Sequence, residues 1–172
     1  MENITIAICD DDPEFLSAFS AQVKMVCEQE NAGVLIDPFS SSESLIQFLT
    51  RGYTPDIFFI DIEMEEPNGV ELGHMIRKTF DMRYAIIYYI SEFTKYHGQL
   101  FDIHPKNFFG KPVNQEKLSR ELSEDLAMFR SRYYHYKDGR VDKAVLFRNV
   151  VLLESDRHKN RLVLQNNAGY TE

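Results

Sequence analysis

The sequence lacks the features that define several classes of protein. It has only two cysteines, Cys9 and Cys27, both within apolar segments, so a disulfide framework is excluded and a reducing cytoplasm is expected. Its longest apolar run covers residues 84–90, far short of the roughly 20 residues that a membrane helix needs. The acidic first residues do not have the basic segment of a signal peptide. We therefore expect a cytoplasmic protein that does not associate with membranes.

Composition and charge indicate a folded protein with two different regions. Of the 172 residues, 44% are hydrophobic and 27% are charged, which is typical of a globular chain. Residues 1–129 contain ten Lys or Arg and 22 Asp or Glu, whereas residues 130–172 contain nine and five. The basic C-terminal segment either contacts an anionic partner or is simply a solvated surface.

Residues 1–131 alternate between short apolar runs and amphipathic patterns. The apolar runs predict five buried strands, near residues 4–9, 34–36, 56–61, 84–90 and 107–109. The amphipathic patterns predict five helices, near residues 13–30, 40–51, 69–80, 93–102 and 113–132. Asp12 is the expected N-cap of the first helix, and Ser40 with Glu43 is the expected capping box of the second. The alternation predicts a doubly wound α/β domain with a five-stranded parallel sheet.

Residues 132–172 have a different pattern. Short strand-like runs follow one another without a helical segment between them, near residues 133–136, 144–147, 150–153 and 161–164. Turn-forming residues occur at 137–140 and 166–169. We expect a small β-rich second domain here.

Acidic side chains follow two of the predicted strands. Asp10, Asp11 and Asp12 come directly after the first strand, and Asp61 closes the third. The carboxyl ends of parallel strands meet at one edge of the sheet, where sites of this fold class form. Clustered carboxylates repel one another, and Mg²⁺ with its preference for oxygen ligands is the economical compensation.

Two further polar residues end neighbouring strands at the same edge. Ser91 ends the fourth predicted strand, and Lys111 follows the fifth. A metal-compensated carboxylate beside a hydroxyl and an ammonium is suited to accept a phosphoryl group. Asp61 is the expected nucleophile, with Lys111 and Ser91 binding phosphoryl oxygens.

These motifs resemble the receiver domains of two-component response regulators over residues 3–130. The resemblance implies that Asp61 is the phosphoacceptor for a sensor histidine kinase. It further implies that Asp10 and Asp11 are the acidic pair, that Asp11 binds Mg²⁺ directly, and that Glu63 lends its backbone carbonyl to the metal. A flavodoxin-like fold is implied as well.

The same resemblance implies a conformational switch. Ser91 matches the switch hydroxyl, Lys111 the phosphoryl-binding lysine, and Phe108 the aromatic residue that reorients on activation. Activation is expected to favour a homodimer through the fourth helix, fifth strand and fifth helix.

The sequence departs from the family pattern at two places near these motifs. Glu65 stands where the family usually has proline, which here is delayed to Pro67. Glu92 follows the switch hydroxyl, where a small residue is usual, and its charge is expected to affect the rate and lifetime of phosphorylation.

Residues 147–155 and 157–164 resemble the opening of a LytTR-type DNA-binding domain. The resemblance covers residues 132–172 as an incomplete N-terminal part of such a domain, so DNA binding is expected only of a completed one. The candidate DNA contacts lie in one loop, which is otherwise a solvated hairpin turn: Arg157, His158, Lys159, Asn160 and Arg161. Whether the chain ends naturally at Glu172 stays open.

Two other functions are weighed against a transcription regulator. A haloacid-dehalogenase-type phosphatase also uses a motif of the form Asp10-x-Asp12, but Glu14 and Phe15 do not supply the Thr or Val that it requires. A receiver acting only through protein contacts is the stronger alternative. We therefore expect a signalling protein rather than an enzyme.

Overall fold

The chain divides into two structural units, residues 2–123 and residues 124–172. The computed structural model describes residues 4–91, 100–131, 133–138, 140–146, 150–156, 159–166 and 169–171. The division between the units falls within a helix, so the predicted domain boundary after residue 131 stays a prediction.

Strands and helices alternate along the first unit, as the apolar periodicity predicts. The strands are β1 (Ile4–Cys9), β2 (Val34–Phe39), β3 (Ile57–Asp61), β4 (Ile86–Ser91) and β5 (Asn107–Gly110). The α-helices are α1 (Pro13–Gln29), α2 (Ser42–Thr50), α3 (Gly69–His74) and α4 (Gln115–Ser131), of which the last extends into the second unit. A π-helical turn, Met75–Thr79, continues α3, and a 3-10 turn covers Phe101–Ile103.

The five strands form one parallel sheet in the order β2-β1-β3-β4-β5. This confirms the predicted doubly wound, flavodoxin-like α/β fold. The strand order reverses beside β1, which places a crevice outside the carboxyl ends of β1 and β3. The predicted helix over residues 93–102 lies mostly outside the described residues.

Alternate strand residues cover the two faces of the sheet. On one face, Phe58, Ile60 and Tyr89 join a core with buried residues of α2 and α3. On the other face, Phe59 packs between Phe19 of α1 and Tyr88, with ring centroids 5.2 and 5.0 Å apart. Because both faces are covered, the strands are nearly continuous in apolar residues.

The N-caps confirm one sequence prediction and correct another. The Asp12 carboxylate accepts hydrogen bonds from the backbone N–H groups of Glu14 and Phe15, as expected for the N-cap of α1. The predicted capping box of Ser40 with Glu43 is wrong, because the N-cap of α2 is Ser41, whose hydroxyl accepts from the N–H of Ser44 at 3.2 Å. Competing serines in a row leave the cap ambiguous from sequence.

The second unit is β-rich, as predicted. β6 (Tyr133–Asp138) and β7 (Val141–Leu146) form an antiparallel pair. β8 (Val150–Asp156), β9 (Lys159–Asn166) and β10 (Gly169–Thr171) form an antiparallel three-stranded sheet. In the part of the chain that the structure describes, no helix is long and apolar enough to cross a membrane.

Candidate functional site

The carboxylates predicted from the strand ends lie together. Asp10 follows β1 and Asp61 ends β3, and both are buried, with 0% and 4% of their surface exposed. Asp11 is exposed beside them. One carboxylate oxygen from each of the three residues lies within 4.8 Å of the other two. The topology therefore gathers three acids at one point of the sheet edge.

Lys111 partly compensates this negative charge. Its Nζ lies 2.8 Å from Oδ2 of Asp10 and 2.9 Å from Oδ2 of Asp61. The sequence predicts Lys111 as a ligand of phosphoryl oxygens, and the structure places its ammonium between the two buried carboxylates. Since Asp11 adds a third negative charge, the acids remain in excess.

Burial and neighbouring charges act in opposite directions on these groups. Burial raises the pKa of Asp10, although the hydrogen bond from Lys111 and that from the Asp12 N–H partly oppose the change. Burial alone lowers the pKa of the Lys111 ammonium, but its hydrogen bonds to Asp10 and Asp61 and their charges raise it overall. The site holds charged groups that water stabilises only weakly.

The donor set fits a hard divalent cation. Asp10, Asp11 and Asp61 offer carboxylate oxygens within reach of one ion, and their excess negative charge favours it over a neutral ligand. Glu63 has an exposed side chain, and its N–H lies 3.4 Å from Oδ1 of Asp61. The metal contact expected from its backbone carbonyl stays a prediction.

Gly69 lets the start of α3 approach the Asp61 strand end closely. A Cβ at this position would lie 1.9 Å from the backbone oxygen of Asp61, which no side chain tolerates. The N–H of Gly69 donates to the Ile62 carbonyl at 3.1 Å. The sequence predicts Gly69 only as the start of a helix, and its position directly after the N-cap Asn68 was the available signal for the close approach.

Ser91 lies on β4 and Phe108 on β5, the two strands that follow β3 in the sheet. Ser91 ends β4 with 8% of its surface exposed, and its carbonyl accepts from the Lys111 N–H at 3.3 Å. The Phe108 ring packs against Tyr89 with centroids 6.0 Å apart. Both predicted switch residues therefore lie beside the strand end that carries Lys111. Glu92 lies outside the described residues.

A family model described as a response regulator receiver domain matches residues 6–123, more than half of the chain. The chain belongs to this family.

Curated relatives of this receiver carry a signalling name. The sensory transduction protein LytT of Oceanobacillus iheyensis is 28% identical over 96 residues, covering 56% of this chain and 39% of the relative. A LytT protein of Bacillus anthracis is 22% identical over 103 residues, covering 60% of this chain and 41% of the relative. The chain thus matches well under half the length of these relatives.

Solved receiver structures share the fold. The signal receiver domain of a DNA binding response regulator protein from Colwellia psychrerythraea has a TM-score of 0.64 at 18% identity, covering 73% of this chain and 99% of that one. The Vibrio cholerae chemotaxis protein CheY4 has a TM-score of 0.60 at 15% identity, covering 72% and 98%. At these identities the likeness concerns the fold alone.

The predicted DNA contacts follow the receiver, in the β8–β9 hairpin. Lys159, Asn160 and Arg161 begin β9, where they stand opposite Asp156, Ser155 and Glu154 of β8 in the register of the pair. Arg157 and His158 lie outside the described residues. The antiparallel pairing of β8 with β9 is compatible with both interpretations of this loop, and the contacts with DNA stay predictions.

Proposed function

We propose that this chain is a two-component response regulator that accepts a phosphoryl group on Asp61 from a histidine kinase. The observation that carries the proposal is the placement of Asp61, buried at the carboxyl end of β3, in an ion pair with Lys111 and beside two further carboxylates. Membership of the receiver family supports the kinase as the class of partner.

In the proposed reaction, a carboxylate oxygen of Asp61 attacks the phosphorus of a phosphohistidine. An O–P bond forms, giving an acyl phosphate, and the P–N bond breaks. Its electron pair stays on the imidazole nitrogen, which takes a proton from water. The histidine of the kinase is returned unmodified.

Residues of the chain stabilise the added charge. Lys111, already 2.9 Å from Asp61, is close enough to transfer its hydrogen bond to a phosphoryl oxygen. Asp10, Asp11 and Asp61 would hold Mg²⁺, which when bound supplies positive charge for the phosphoryl oxygens. Ser91, next to Lys111 through its backbone carbonyl, is the proposed hydroxyl donor.

The output follows from a change in population between two states. Phosphoryl contacts with Ser91 and Lys111 favour one conformation of Phe108, and the proposed result is homodimerisation through the fourth predicted helix, β5 and α4. Similarity to LytT sensory transduction proteins supports signalling as the outcome. The LytTR resemblance of residues 147–164 favours a transcriptional output, with DNA contacts from Arg157, His158, Lys159, Asn160 and Arg161.

A receiver that acts only through protein contacts is the second candidate. Its support is that the family match covers residues 6–123, which is the receiver alone. Under this candidate the 172-residue chain binds DNA weakly and with a steep salt dependence. Sequence-specific binding that persists at raised salt would favour the transcriptional output instead.

The first experiment measures phosphorylation of the purified chain by acetyl phosphate, using intact mass. With Mg²⁺ we expect a gain of one phosphoryl group, and with EDTA no gain. Asp61→Asn should remove the gain completely. Asp81→Asn is the matched control, because Asp81 is exposed, pairs with Arg83 and has a positive φ that asparagine tolerates.

Uptake by Asp61→Asn at the wild-type level would overturn the assignment of the phosphoacceptor. Absence of uptake in the wild type would overturn the receiver chemistry and leave a phosphorylation-independent interaction module. Size exclusion of the phosphorylated wild type then tests dimerisation.

A further inference from the structure

The Lys111 ammonium has an aromatic ring as its third neighbour. Nζ lies 4.4 Å from the centroid of the Phe15 ring, well within the range of about 6 Å for a cation–π contact. The carboxylates of Asp10 and Asp61 contact the same nitrogen at 2.8 and 2.9 Å. With 15% of its side chain exposed, Lys111 has little room for an alternative position.

The Phe15 ring is itself held in place by the core. It stacks on Phe19 with centroids 5.5 Å apart and planes inclined by 12°. Phe19 is 1% exposed and meets the fully buried Phe59 edge to face. A row of three rings therefore connects the centre of the sheet with the ammonium at its edge.

The same N-cap that begins α1 also fixes the backbone of Phe15. The Asp12 carboxylate accepts from the Phe15 N–H at 3.1 Å, so the first turn of the helix has a defined position. Asp10 in turn accepts from the Asp12 N–H at 3.0 Å. One short segment thus supplies Lys111 with both a carboxylate and a ring.

We infer that Phe15 is a positioning residue for Lys111, holding its ammonium against Asp10 and Asp61 so that it meets the incoming phosphoryl group. The inference rests on the proposed function for its chemical consequence. A ring face attracts the ammonium and keeps water from that side of it, which strengthens the neighbouring ion pairs. A side chain that only filled space would keep water away but would not attract the ammonium.

The first test observes the contact directly, by NMR of the metal-free wild type. The ε-methylene protons of Lys111 should be shifted upfield by the Phe15 ring current. Phe15→Tyr, which keeps a ring face, should preserve the shift, and Phe15→Leu, which keeps only apolar volume, should abolish it. An unshifted Lys111 signal in the wild type would overturn the inference.

The second test measures the rate of phosphoryl uptake from acetyl phosphate with Mg²⁺ in the full chain. Phe15→Leu should lower the rate constant about threefold to tenfold, as expected for the loss of a partly desolvated cation–π contact, and Phe15→Tyr should restore it. In a Lys111→Met background, Phe15→Leu should change the remaining rate by a factor of about one. Phe48→Leu, at an exposed aromatic residue of α2, is the control.

The outcomes separate this inference from the proposed function. An equal loss in the presence and absence of Lys111 would show that Phe15 acts through packing alone, and an unchanged rate in Phe15→Leu would remove it from the reaction. If the wild type takes up no phosphoryl group, the proposed function fails, and the Lys111 signal alone decides whether Phe15 positions the ammonium. Circular dichroism checks that each variant is folded.

Discussion

The two edges of the receiver sheet differ in how their charged side chains are compensated. At the amino edge, Arg77 donates from Nε to the Ile103 carbonyl at 2.8 Å and from Nη1 to the carbonyls of Met82 and Ala85 at 2.6 and 2.8 Å. At the carboxyl edge, Asp10 and Asp61 share a single ammonium with each other. Main-chain acceptors satisfy the first charge, whereas the second group is left with excess negative charge.

A second contact at the amino edge repeats this pattern. The Asp56 carboxylate accepts from the Thr5 N–H at 3.0 Å, and its backbone carbonyl accepts from the Ile86 N–H at 2.8 Å. These bonds tie β1, β3 and β4 together where they begin. Charged side chains that are paired with backbone groups in this way stabilise the fold.

Within one fold, this difference separates charged groups that stabilise the structure from charged groups that bind a ligand. A charge whose partners are backbone groups of the surrounding fold is part of the architecture. A buried cluster with an uncompensated excess of one sign costs stability, and its persistence indicates a ligand of the opposite sign. Three changes test this difference between the edges.

Arg77→Met is expected to have the largest effect. It removes the guanidinium and leaves three carbonyls at the amino edge without these donors, so the free energy of unfolding should fall by about 3 kcal/mol. Urea denaturation followed by far-UV circular dichroism measures it. Because the metal-binding carboxylates of the described residues lie at the other edge, the loss should be the same with Mg²⁺ and with EDTA.

Lys78→Met is the control for Arg77, since Lys78 is the exposed next residue of the same helical turn and should change stability by less than about 0.5 kcal/mol. A loss in Arg77→Met that Mg²⁺ reversed would contradict the proposed difference between the edges.

Lys111→Met should have a smaller effect that depends on metal. In EDTA, removing the ammonium leaves Asp10 and Asp61 facing each other without compensation, so stability should fall by about 2 kcal/mol. Mg²⁺ should recover most of this loss, because it supplies positive charge at the same carboxylates. Urea denaturation under both conditions measures the difference.

Lys24→Met provides the comparison for Lys111, because its ion pair with Glu28 on α1 is exposed on both sides and contributes little. If Mg²⁺ stabilised Lys111→Met no more than the wild type, the excess charge at the carboxyl edge would not be what binds the metal.

Asp10→Asn should have the smallest effect on stability, and of the opposite sign. Burial raises the pKa of Asp10, which means that folding disfavours its charged form at neutral pH. Removing the charge should therefore increase stability slightly in EDTA while Lys111 keeps its pair with Asp61.

The same Asp10→Asn variant should bind Mg²⁺ at least about tenfold more weakly. Removing a metal ligand should reduce the affinity at least as much as removing a residue that hydrogen-bonds to a ligand. Calorimetric titration measures this affinity. A variant that was destabilised in EDTA yet bound Mg²⁺ normally would show that Asp10 is part of the architecture, like Arg77.

Much of the fold was predictable because burial is encoded in local periodicity. The alternation of apolar strands with amphipathic helices predicts the parallel sheet, and strand-end positions predict that Asp10, Asp11 and Asp61 meet. Boundaries were less certain, as at α2, where Ser41 rather than Ser40 caps the helix. Adjacent serines have nearly equal capping ability, so small differences in backbone geometry select one.

The sequence by itself determined where the acids gather, because a residue after a parallel strand must lie at the carboxyl edge. It left open which groups those acids and their neighbours contact. Only the tertiary structure decided that Lys111 lies between Asp10 and Asp61, that Phe15 covers its ammonium, and that Arg77 binds carbonyls at the far edge. The reason is that such contacts join segments far apart in the chain, and strand order and register set their distances, which no local pattern encodes.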